Sequence, residues 1–287
     1  MGLYLRPRTI EEAVAALADS RFVVLAGGTD FYPARVGRAL DENVVDITAV
    51  GALRGIHQDG DVWRIGATTT WRDVLDAPLP PLFDGLKLAA REVGGAQIQN
   101  AATVAGNLCN ASPAADSVPV LMALDARLEL RSAAGTRMLP IADFIRGNRR
   151  TAARPDELVS AILVPQRSAR AATHFLKLGA RRYLVISIAM AAGVIEADTA
   201  GRIVAAHIAI GACSEVAQRL PGLEQALLGR YLSDSQDAVE PQHFSALRPI
   251  DDVRASAAYR RDGAMTLTRR LLQELAARLV ESHRDTA

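Results

Sequence analysis

Residues 103–121, TVAGNLCNASPAADSVPVL, form a run of small and amide-bearing residues that ends in an aspartate and an apolar block. Such small, turn-forming residues predict a loop over TVAGNLCNASPAAD. Asn107 and Asn110 bring amide groups, and Gly106 leaves room for a close approach to the backbone. The apolar block after Asp116 predicts a short buried helix or segment. The run thus favours a loop against which a large polar ligand lies; a loop packed between domains, with Asp116 as a helix cap, is the alternative.

A second small-residue segment, LAGGTDF at residues 25–31, directly follows the buried strand predicted from RFVVL. Because glycine lacks a Cβ, the backbone N–H groups of Gly27 to Asp30 could curl around an anion with little steric hindrance. The side chains of Thr29 and Asp30 could add hydrogen bonds. The alternative is a simple turn between a strand and a helix, capped by Asp30.

The rest of the chain alternates helical and strand-like patterns. TIEEAVAALA begins with a Thr9–Glu12 capping box, which predicts a helix. Hairpins are predicted at Asp59–Gly60, around residues 133–135 and at residues 198–201. The C-terminal stretch from residue 255 onward has the pattern of a long amphipathic helix. A polar stretch, QRSARAAT, separates the two parts, so we expect an α+β chain with one domain at residues 1–170 and another at 171–287.

Composition excludes several classes of function. The net charge of +1 gives no reason to expect nucleic acid as a partner or an anionic membrane as a binding surface. The two cysteines, Cys109 and Cys213, cannot ligate an iron–sulfur cluster or a four-cysteine zinc site. The five histidines stand alone, and GxSxG, GxGxxG and GxxxxGK[ST] patterns are absent from the sequence. Without an apolar leader or a spanning stretch, the sequence predicts a cytoplasmic protein with no membrane insertion.

The two glycine segments also carry a resemblance to a known family. AGGTD at 26–30, together with TVAGN at 103–107, resembles the paired glycine motifs of the FAD-binding medium subunits of molybdenum hydroxylases, such as the xanthine and carbon monoxide dehydrogenases. QIQNAATVAGNLCNASPAADSVPVLMALDA is similar to the second flavin segment of that family. FLKLGARR and DDVRASAAYRRDGAMTLTRR are similar to parts of its C-terminal domain. These motifs occur in the order found in the family and span nearly the whole chain.

The resemblance implies a set of residues that bind FAD. The backbone of Gly27 to Asp30 would hold the pyrophosphate from one side, and Thr103, Gly106 and Asn107 would close on the diphosphate and ribityl chain. Asp116 would accept a hydrogen bond from a sugar or ribityl hydroxyl, and Lys177 would lie near the flavin ring and stabilise its reduced, anionic form. The implied cofactor-binding residues are Leu25, Ala26, Gly27, Gly28, Thr29, Asp30, Phe31, Val93, Thr103, Val104, Ala105, Gly106, Asn107, Asn110, Asp116, Val159 and Lys177. No catalytic residue and no metal ligand is implied.

Two positions depart from the family pattern. Ala105 stands where the family usually has a glycine, and its methyl group would crowd a very close phosphate. Gln99 stands where an arginine is common. Both departures concern the detail of diphosphate binding.

The resemblance also implies a fold and a function. An FAD-binding domain of the vanillyl-alcohol-oxidase (PCMH) type would be followed by a C-terminal domain of antiparallel sheet and helices, like that of carbon monoxide dehydrogenase flavoproteins. The FAD of this chain would take electrons from the [2Fe–2S] clusters of a small partner subunit and pass them to NAD⁺, O₂ or another acceptor. A large molybdopterin subunit would hydroxylate the substrate. The alternatives are a stand-alone FAD-dependent oxidoreductase of the same superfamily and a scaffold subunit that has lost FAD.

Overall fold

The computed structural model describes residues 2–19, 21–39 and 41–284. The α-helices are α1 (Ile10–Leu17), α2 (Trp71–Asp76), α3 (Asp84–Glu92), α4 (Ala96–Ala101), α5 (Val104–Asn110), α6 (Ser117–Ala123), α7 (Ile141–Phe144), α8 (Pro221–Leu227) and α9 (Ala257–Arg284). The strands are β1 (Tyr4–Leu5), β2 (Phe22–Leu25), β3 (Asn43–Asp46), β4 (Ile56–Asp59), β5 (Val62–Gly66), β6 (Arg127–Ser132), β7 (Gly135–Pro140), β8 (Ile145–Gly147), β9 (Arg150–Thr151), β10 (Leu158–Pro165), β11 (Ala171–Leu178), β12 (Ala189–Ala197), β13 (Ile203–Gly211) and β14 (Gln218–Arg219). Short 3₁₀ helices lie at Pro33–Arg35, Ile47–Ala49, Gly51–Leu53, Pro81–Phe83, Leu232–Ala238 and Pro241–Phe244.

The chain forms two compact units, each assembled from three segments. The first unit comprises residues 1–77, 94–112 and 125–165, and the second comprises residues 78–93, 113–124 and 166–287. The assignment of residues 1–170 and 171–287 to two domains stays a prediction. The second unit takes in two segments that precede residue 166.

A small parallel sheet opens the first unit, with strand order β1-β3-β2. The crossover from β2 to β3 carries residues 25–31, which are the first glycine segment in chain order; residues 103–107 are the second. The helix α1 begins where the sequence predicts: the Thr9 hydroxyl accepts the Glu12 backbone N–H at 3.1 Å. The Glu12 carboxylate accepts the N–H of Arg8 rather than that of the cap residue. Val14 and Leu17 are buried, so the predicted apolar face of α1 faces the core.

The larger sheet of the first unit is antiparallel, with strand order β4-β5-β10-β6-β7. Its two hairpins confirm the turns predicted at Asp59–Gly60 and at residues 133–135. Gly60 adopts φ +57°, a left-handed conformation that glycine takes without strain. A charged cluster lies within this sheet, where Glu129 accepts two hydrogen bonds from Arg64 at 2.6 and 2.9 Å and one from the Ser160 hydroxyl at 2.5 Å. Arg64 holds the pKa of Glu129 down at about 2.

The loop predicted for TVAGNLCNASPAAD is wrong over its first half, because residues 104–110 form the helix α5. Thr103 caps this helix, and Val104 and Leu108, four residues apart, are both fully buried. That spacing places two apolar side chains on one helical face, which outweighs the turn preference of the glycine and asparagines. Ala111 then ends the helix at φ +49°.

The second unit is built on a four-stranded antiparallel sheet of order β11-β12-β13-β14. The turn predicted at residues 198–201 joins β12 to β13, and Ala192 pairs with Ala209 across the hairpin. The predicted C-terminal helix is α9, which packs against β11 and β12. Gly193 of β12 allows the close approach, because a methyl group there would lie 3.1 Å from Leu271 of α9. The core between sheet and helices includes Ile195, Ile208, Ile210, Leu223, Leu227, Leu267, Leu271, Leu272 and Leu275.

Two shorter helices complete the second unit. The helix α3 ends before Gly94, and its Gly85 N–H donates to the Thr173 hydroxyl of β11 at 2.9 Å. The apolar block SVPVLMA forms α6, whose residues are all buried. Among the described residues, no helix combines the length and apolar character that crossing a membrane requires.

Candidate functional site

The first glycine segment begins where β2 ends, at the carboxyl edge of the parallel sheet. Both of its glycines are required by the backbone. A methyl group on Gly27 would lie 1.9 Å from the carbonyl oxygen of Ala101. Gly28 has φ +74°, and a methyl group there would lie 2.7 Å from the ring of Tyr32. The segment is therefore a tight turn pressed against the chain just before Thr103.

The backbone N–H groups of this segment are available for binding. Within the described residues, none of the five N–H groups from Gly27 to Phe31 donates to a protein acceptor. The carbonyl of Gly28 accepts the Tyr32 N–H at 3.1 Å, which holds the turn closed. The Thr29 hydroxyl likewise has no partner in the described part of the chain, while Asp30 is exposed and lies 3.7 Å from Arg149. Adjacent free N–H donors suit an anion with several oxygens, so the segment fits the diphosphate of FAD.

In the second glycine segment, residues 103–107, most backbone N–H groups already donate to oxygen atoms of the protein. The Gly106 N–H donates to the Thr103 hydroxyl at 3.0 Å, and the Asn107 N–H donates to the Thr103 carbonyl at 3.0 Å. The Val104 N–H donates to the Thr69 carbonyl at 3.0 Å. Thr103 is itself buried. These contacts fix the helix α5 in the first unit and leave this segment fewer free donors than the first.

Ala105, the departure from the family pattern, lies inside α5. Its side chain is 3% exposed, and its φ is negative as in any helical residue. A methyl group at this position is compatible with the backbone. Asn110 ends α5, and Cys109 beside it is exposed.

Arg149 links the first glycine segment to the residue that follows α5. Its backbone N–H donates to the Ala111 carbonyl at 3.0 Å, and its guanidinium lies 3.7 Å from Asp30. Arg149 has φ +57°. Sequence patterns gave no reason to select this arginine, because it stands 119 positions after Asp30 and in no motif.

Three apolar members of the predicted set, Leu25, Phe31 and Val159, lie in the first glycine segment or in the larger sheet. Leu25 and Val159 are buried, the latter in β10 opposite Leu130. The guanidinium of Arg35 lies 3.8 Å from the ring centre of Phe31 and pairs with Glu42 at 2.5 Å. One face of Phe31 is therefore covered from within the protein.

Three predicted residues, Val93, Asp116 and Lys177, belong to the second unit. Val93 directly follows α3 and is half-buried. Asp116 Oδ2 accepts a hydrogen bond from Lys177 Nζ at 2.8 Å, and Oδ1 accepts one from the Ser187 hydroxyl at 2.7 Å. Asp116 occupies the N-cap position of α6, as the alternative interpretation expects, but its side chain makes no cap hydrogen bond there.

Burial and the neighbouring side chains act in opposite directions on the pKa of the Asp116 carboxyl. Burial raises the pKa of its carboxyl, and the neighbouring Glu92 adds to the rise. Lys177 and Ser187 oppose that rise by stabilising the ionised form. Ser187 was missed by sequence reasoning, because only the fold brings it within reach of a residue 71 positions earlier.

The described residues hold no group of histidine, cysteine, aspartate and glutamate side chains that could bind a metal ion. His207 lies between two guanidinium groups, 3.1 Å from Arg167 and 2.7 Å from Arg219. His174 is buried, and burial lowers its pKa.

Comparison with known families gives two matches along the chain. The model described as "FAD binding domain in molybdopterin dehydrogenase" matches residues 1–167. The model described as "CO dehydrogenase flavoprotein C-terminal domain" matches residues 174–275.

Individual relatives match over almost their whole length. The nicotinate dehydrogenase FAD-subunit of Eubacterium barkeri is 28% identical, with 96% of each chain covered. The xanthine dehydrogenase FAD-binding subunit of Escherichia coli O157:H7 is 29% identical, again with 96% of each chain covered. Among solved structures, a chain of the reconstituted CO dehydrogenase of Oligotropha carboxidovorans superposes with a TM-score of 0.88 at 28% identity, covering 97% of this chain and 98% of that one.

Proposed function

The chain belongs to the family described as the FAD binding domain in molybdopterin dehydrogenase, and on that premise we propose how it works. It is the FAD-binding, medium-type subunit of a molybdenum hydroxylase complex and an oxidoreductase flavoprotein. We propose that it takes electrons from the [2Fe–2S] clusters of a small partner subunit. It then passes them to an acceptor such as NAD⁺ or O₂, while a large molybdopterin subunit hydroxylates the substrate.

One observation carries the proposal for this chain's own residues: the five free N–H groups from Gly27 to Phe31. They would donate to the diphosphate oxygens of FAD, and the Thr29 hydroxyl would add a sixth donor. The left-handed Gly28 sets their direction. When bound, FAD supplies the electron-carrying chemistry, and the protein supplies binding and orientation.

The second glycine segment supports the first in this account. Ala101 and Ala102, just before Thr103, lie directly against Gly27, so the position of α5 determines the position of the turn. The competing assignment, implied by the resemblance, has Thr103, Gly106 and Asn107 contact the diphosphate themselves. The N–H groups of Gly106 and Asn107 already donate to the hydroxyl and the carbonyl of Thr103, which favours the supporting role.

The sequence supports the division of labour with partner subunits. Two cysteines are too few to ligate even one [2Fe–2S] cluster with four thiolates. The clusters that deliver electrons would therefore be held by another polypeptide.

The direct test is ligand binding by the isolated chain. We expect the purified protein to show the visible absorption of a flavin and to release FAD on acid treatment, at one equivalent per chain. After removal of the cofactor, FAD should bind at least about a hundredfold more tightly than riboflavin, because several charge-assisted hydrogen bonds to the diphosphate are lost with riboflavin. A chain that binds neither compound, or both equally, would overturn the proposal.

A further inference from the structure

We infer that Arg149 is a positioning residue, which holds the carboxylate of Asp30 off the free N–H groups of the first glycine segment and so keeps them open to the diphosphate of FAD. This inference rests on the proposed function, since it takes FAD as the ligand. Both residues belong to the first unit. Arg149, which lies in no motif, thereby gains a role, and the Asp30 side chain gains one other than a hydrogen bond to the cofactor.

Asp30 carries an acceptor that could compete with FAD for these donors. Its carboxylate belongs to the same five residues, Gly27 to Phe31, whose N–H groups stay unused within the described part of the chain. Aspartates in turns commonly accept nearby backbone N–H groups, because the short side chain reaches them without strain. A carboxylate bound in this way would occupy the positions that the phosphate oxygens need.

Another turn of this chain shows the competing arrangement. Asp198, between β12 and β13, accepts the backbone N–H groups of Ala200 at 2.9 Å and Arg202 at 2.8 Å. Its carboxylate has no cationic partner among the described residues. The carboxylate of Asp30 accepts no backbone N–H in the same part of the chain and lies 3.7 Å from the guanidinium of Arg149. The two aspartates thus differ in the cation beside Asp30.

The backbone of Arg149 has an unusual conformation. Arg149 lies in the turn between β8 and β9, where its φ is +57°. Its N–H donates to the Ala111 carbonyl at 3.0 Å, which ties this turn to the residue after α5. A left-handed φ favours glycine or asparagine, and an arginine there is strained. Because the backbone gives no reason for an arginine, the side chain must supply it, and Asp30 is the ion-pair partner of that side chain.

The contact between Arg149 and Asp30 is loose. At 3.7 Å the two atoms are too far apart for a hydrogen bond, and the side chains are 57% and 53% exposed. Arg64, by contrast, donates two hydrogen bonds to Glu129, at 2.6 and 2.9 Å. An exposed ion pair without hydrogen bonds contributes little to stability. Loss of the Arg149 side chain should therefore move the Asp30 carboxylate and leave the fold intact.

The consequence is a smaller fraction of chains that can bind FAD. Without the guanidinium, the Asp30 carboxylate turns back onto the N–H groups of its own segment, and FAD must displace it. If the carboxylate occupies these donors about nine-tenths of the time, the apparent affinity for FAD falls about tenfold. Riboflavin lacks the diphosphate, so its affinity should change little.

The test compares FAD binding by variants of the full chain. Arg149→Gly removes the side chain and adopts the left-handed conformation without strain, so it should fold like the parent. We expect its FAD affinity to fall about fivefold to tenfold and its riboflavin affinity to stay within about twofold of the parent. Asp30→Ala removes the competing carboxylate. Adding Arg149→Gly to Asp30→Ala should therefore change FAD affinity by less than about twofold.

Arg21→Ala is the matched control for the loss of an exposed arginine. Arg21 pairs with Asp19 at 2.5 Å and directly precedes β2, whereas the first glycine segment lies at the other end of that strand. Its replacement should leave FAD affinity unchanged.

A second readout needs no FAD. In the cofactor-free Arg149→Gly chain, amide proton signals from Gly27 to Phe31 should move downfield, because the Asp30 carboxylate becomes their acceptor. In the combined variant they should stay where Asp30→Ala alone places them. A purely structural role for Arg149 would not make the shift depend on Asp30.

The outcomes separate the inference from the function on which it rests. If the parent chain binds no FAD, the proposed function fails and the inference fails with it. If the parent binds FAD and Arg149→Gly binds it as tightly, only the role of Arg149 is overturned. A loss of about tenfold that persists in the Asp30→Ala background would mean that Arg149 contacts the cofactor itself, and it would overturn the positioning role as well.

Discussion

The two glycine segments of the first unit both contain glycine among small residues, and they differ in what their backbone donors do. From Gly27 to Phe31, five successive N–H groups have no acceptor within the described residues. From Val104 to Asn107, the Val104, Gly106 and Asn107 N–H groups already donate to protein oxygens. In the first segment the carbonyl groups of Gly28 and Asp30 accept hydrogen bonds while the N–H groups stay unused within the described residues. The second segment is the start of a capped helix, in which most N–H groups are used.

The difference shows that glycine serves two purposes in this chain. At Gly27 and Gly28 it permits a backbone path that no other residue could take without displacing Ala101 or Tyr32. At Gly106 it only avoids crowding the Thr103 hydroxyl, 2.7 Å from where a Cβ would lie. We therefore expect substitutions in the first segment to affect the fold at its glycines and ligand binding at Thr29, and those in the second segment to affect stability alone.

The largest expected effect is that of Gly27→Ala. The new methyl group would lie 1.9 Å from the carbonyl oxygen of Ala101. Because that oxygen belongs to the backbone, relieving the clash requires the main chain to shift, and the free energy of unfolding should fall by more than about 3 kcal/mol. Gly106→Ala is the control: a gain in helix propensity of about 1 kcal/mol offsets the disturbed Thr103 cap. Urea denaturation measures both. Equal losses in the two variants would break the distinction between the segments.

A charge-neutralising change away from both segments separates stability from binding. Glu129→Gln removes the ion pair with Arg64 in the larger sheet, and we expect a loss of about 2–3 kcal/mol at pH 7. Because the folded pKa of Glu129 is about 2, below the ordinary 4.5, this contribution is present above pH 4.5 and is lost as the pH falls toward 2. Denaturation of parent and variant between pH 7 and pH 3 should therefore show a shrinking difference. FAD affinity should stay as in the parent. A parallel loss of affinity would mean that changes in FAD binding follow from changes in the stability of the fold.

Thr103→Val tests the supporting role of the second segment. The variant keeps the shape of the side chain and loses the acceptor of the Gly106 N–H, so the free energy of unfolding should fall by about 1–2 kcal/mol. FAD affinity, measured by fluorescence titration, should change less than about threefold. A tenfold loss of affinity with unchanged stability would favour the competing assignment, in which Thr103 contacts the diphosphate.

Thr29→Val is the complementary change in the first segment. Its hydroxyl has no partner within the described residues, so its removal should leave the free energy of unfolding within about 0.5 kcal/mol of the parent. The affinity for FAD should fall about tenfold, as for one lost hydrogen bond to a charged oxygen. Thr136→Val on the exposed strand β7 is the matched control and should change neither quantity. Unchanged FAD affinity in Thr29→Val would remove the hydroxyl from the site.

Much of the fold follows from local sequence patterns. The strand Phe22–Leu25, the helix capped by Thr9 and the hairpin at Asp59–Gly60 all lie where periodicity and turn residues predict them. Local patterns failed at α5, where burial of Val104 and Leu108 overrode the turn preference of the small residues between them.

The candidate site was less accessible to sequence reasoning. The first glycine segment could be identified because a strand followed by two glycines has a local signature. The pairing of Asp116 with Lys177 and Ser187 spans 61 and 71 positions, and Arg149 reaches Asp30 only through the fold. Single-sequence patterns carry no information about such distant partners. Asp116 and Lys177 were assigned to the site only through the family resemblance, and Ser187 and Arg149 were not assigned to it.

The central claim is that the first glycine segment, and not the second, donates its backbone N–H groups to FAD. The most direct measurement is the amide ¹H–¹⁵N NMR spectrum of the deuterated chain before and after one equivalent of FAD. We predict that the amide protons of Gly27 to Phe31 move downfield as they gain phosphate acceptors, while those of Val104, Gly106 and Asn107 stay close to their original positions. Large downfield shifts at Gly106 and Asn107 with unchanged signals from Gly27 to Phe31 would contradict the account.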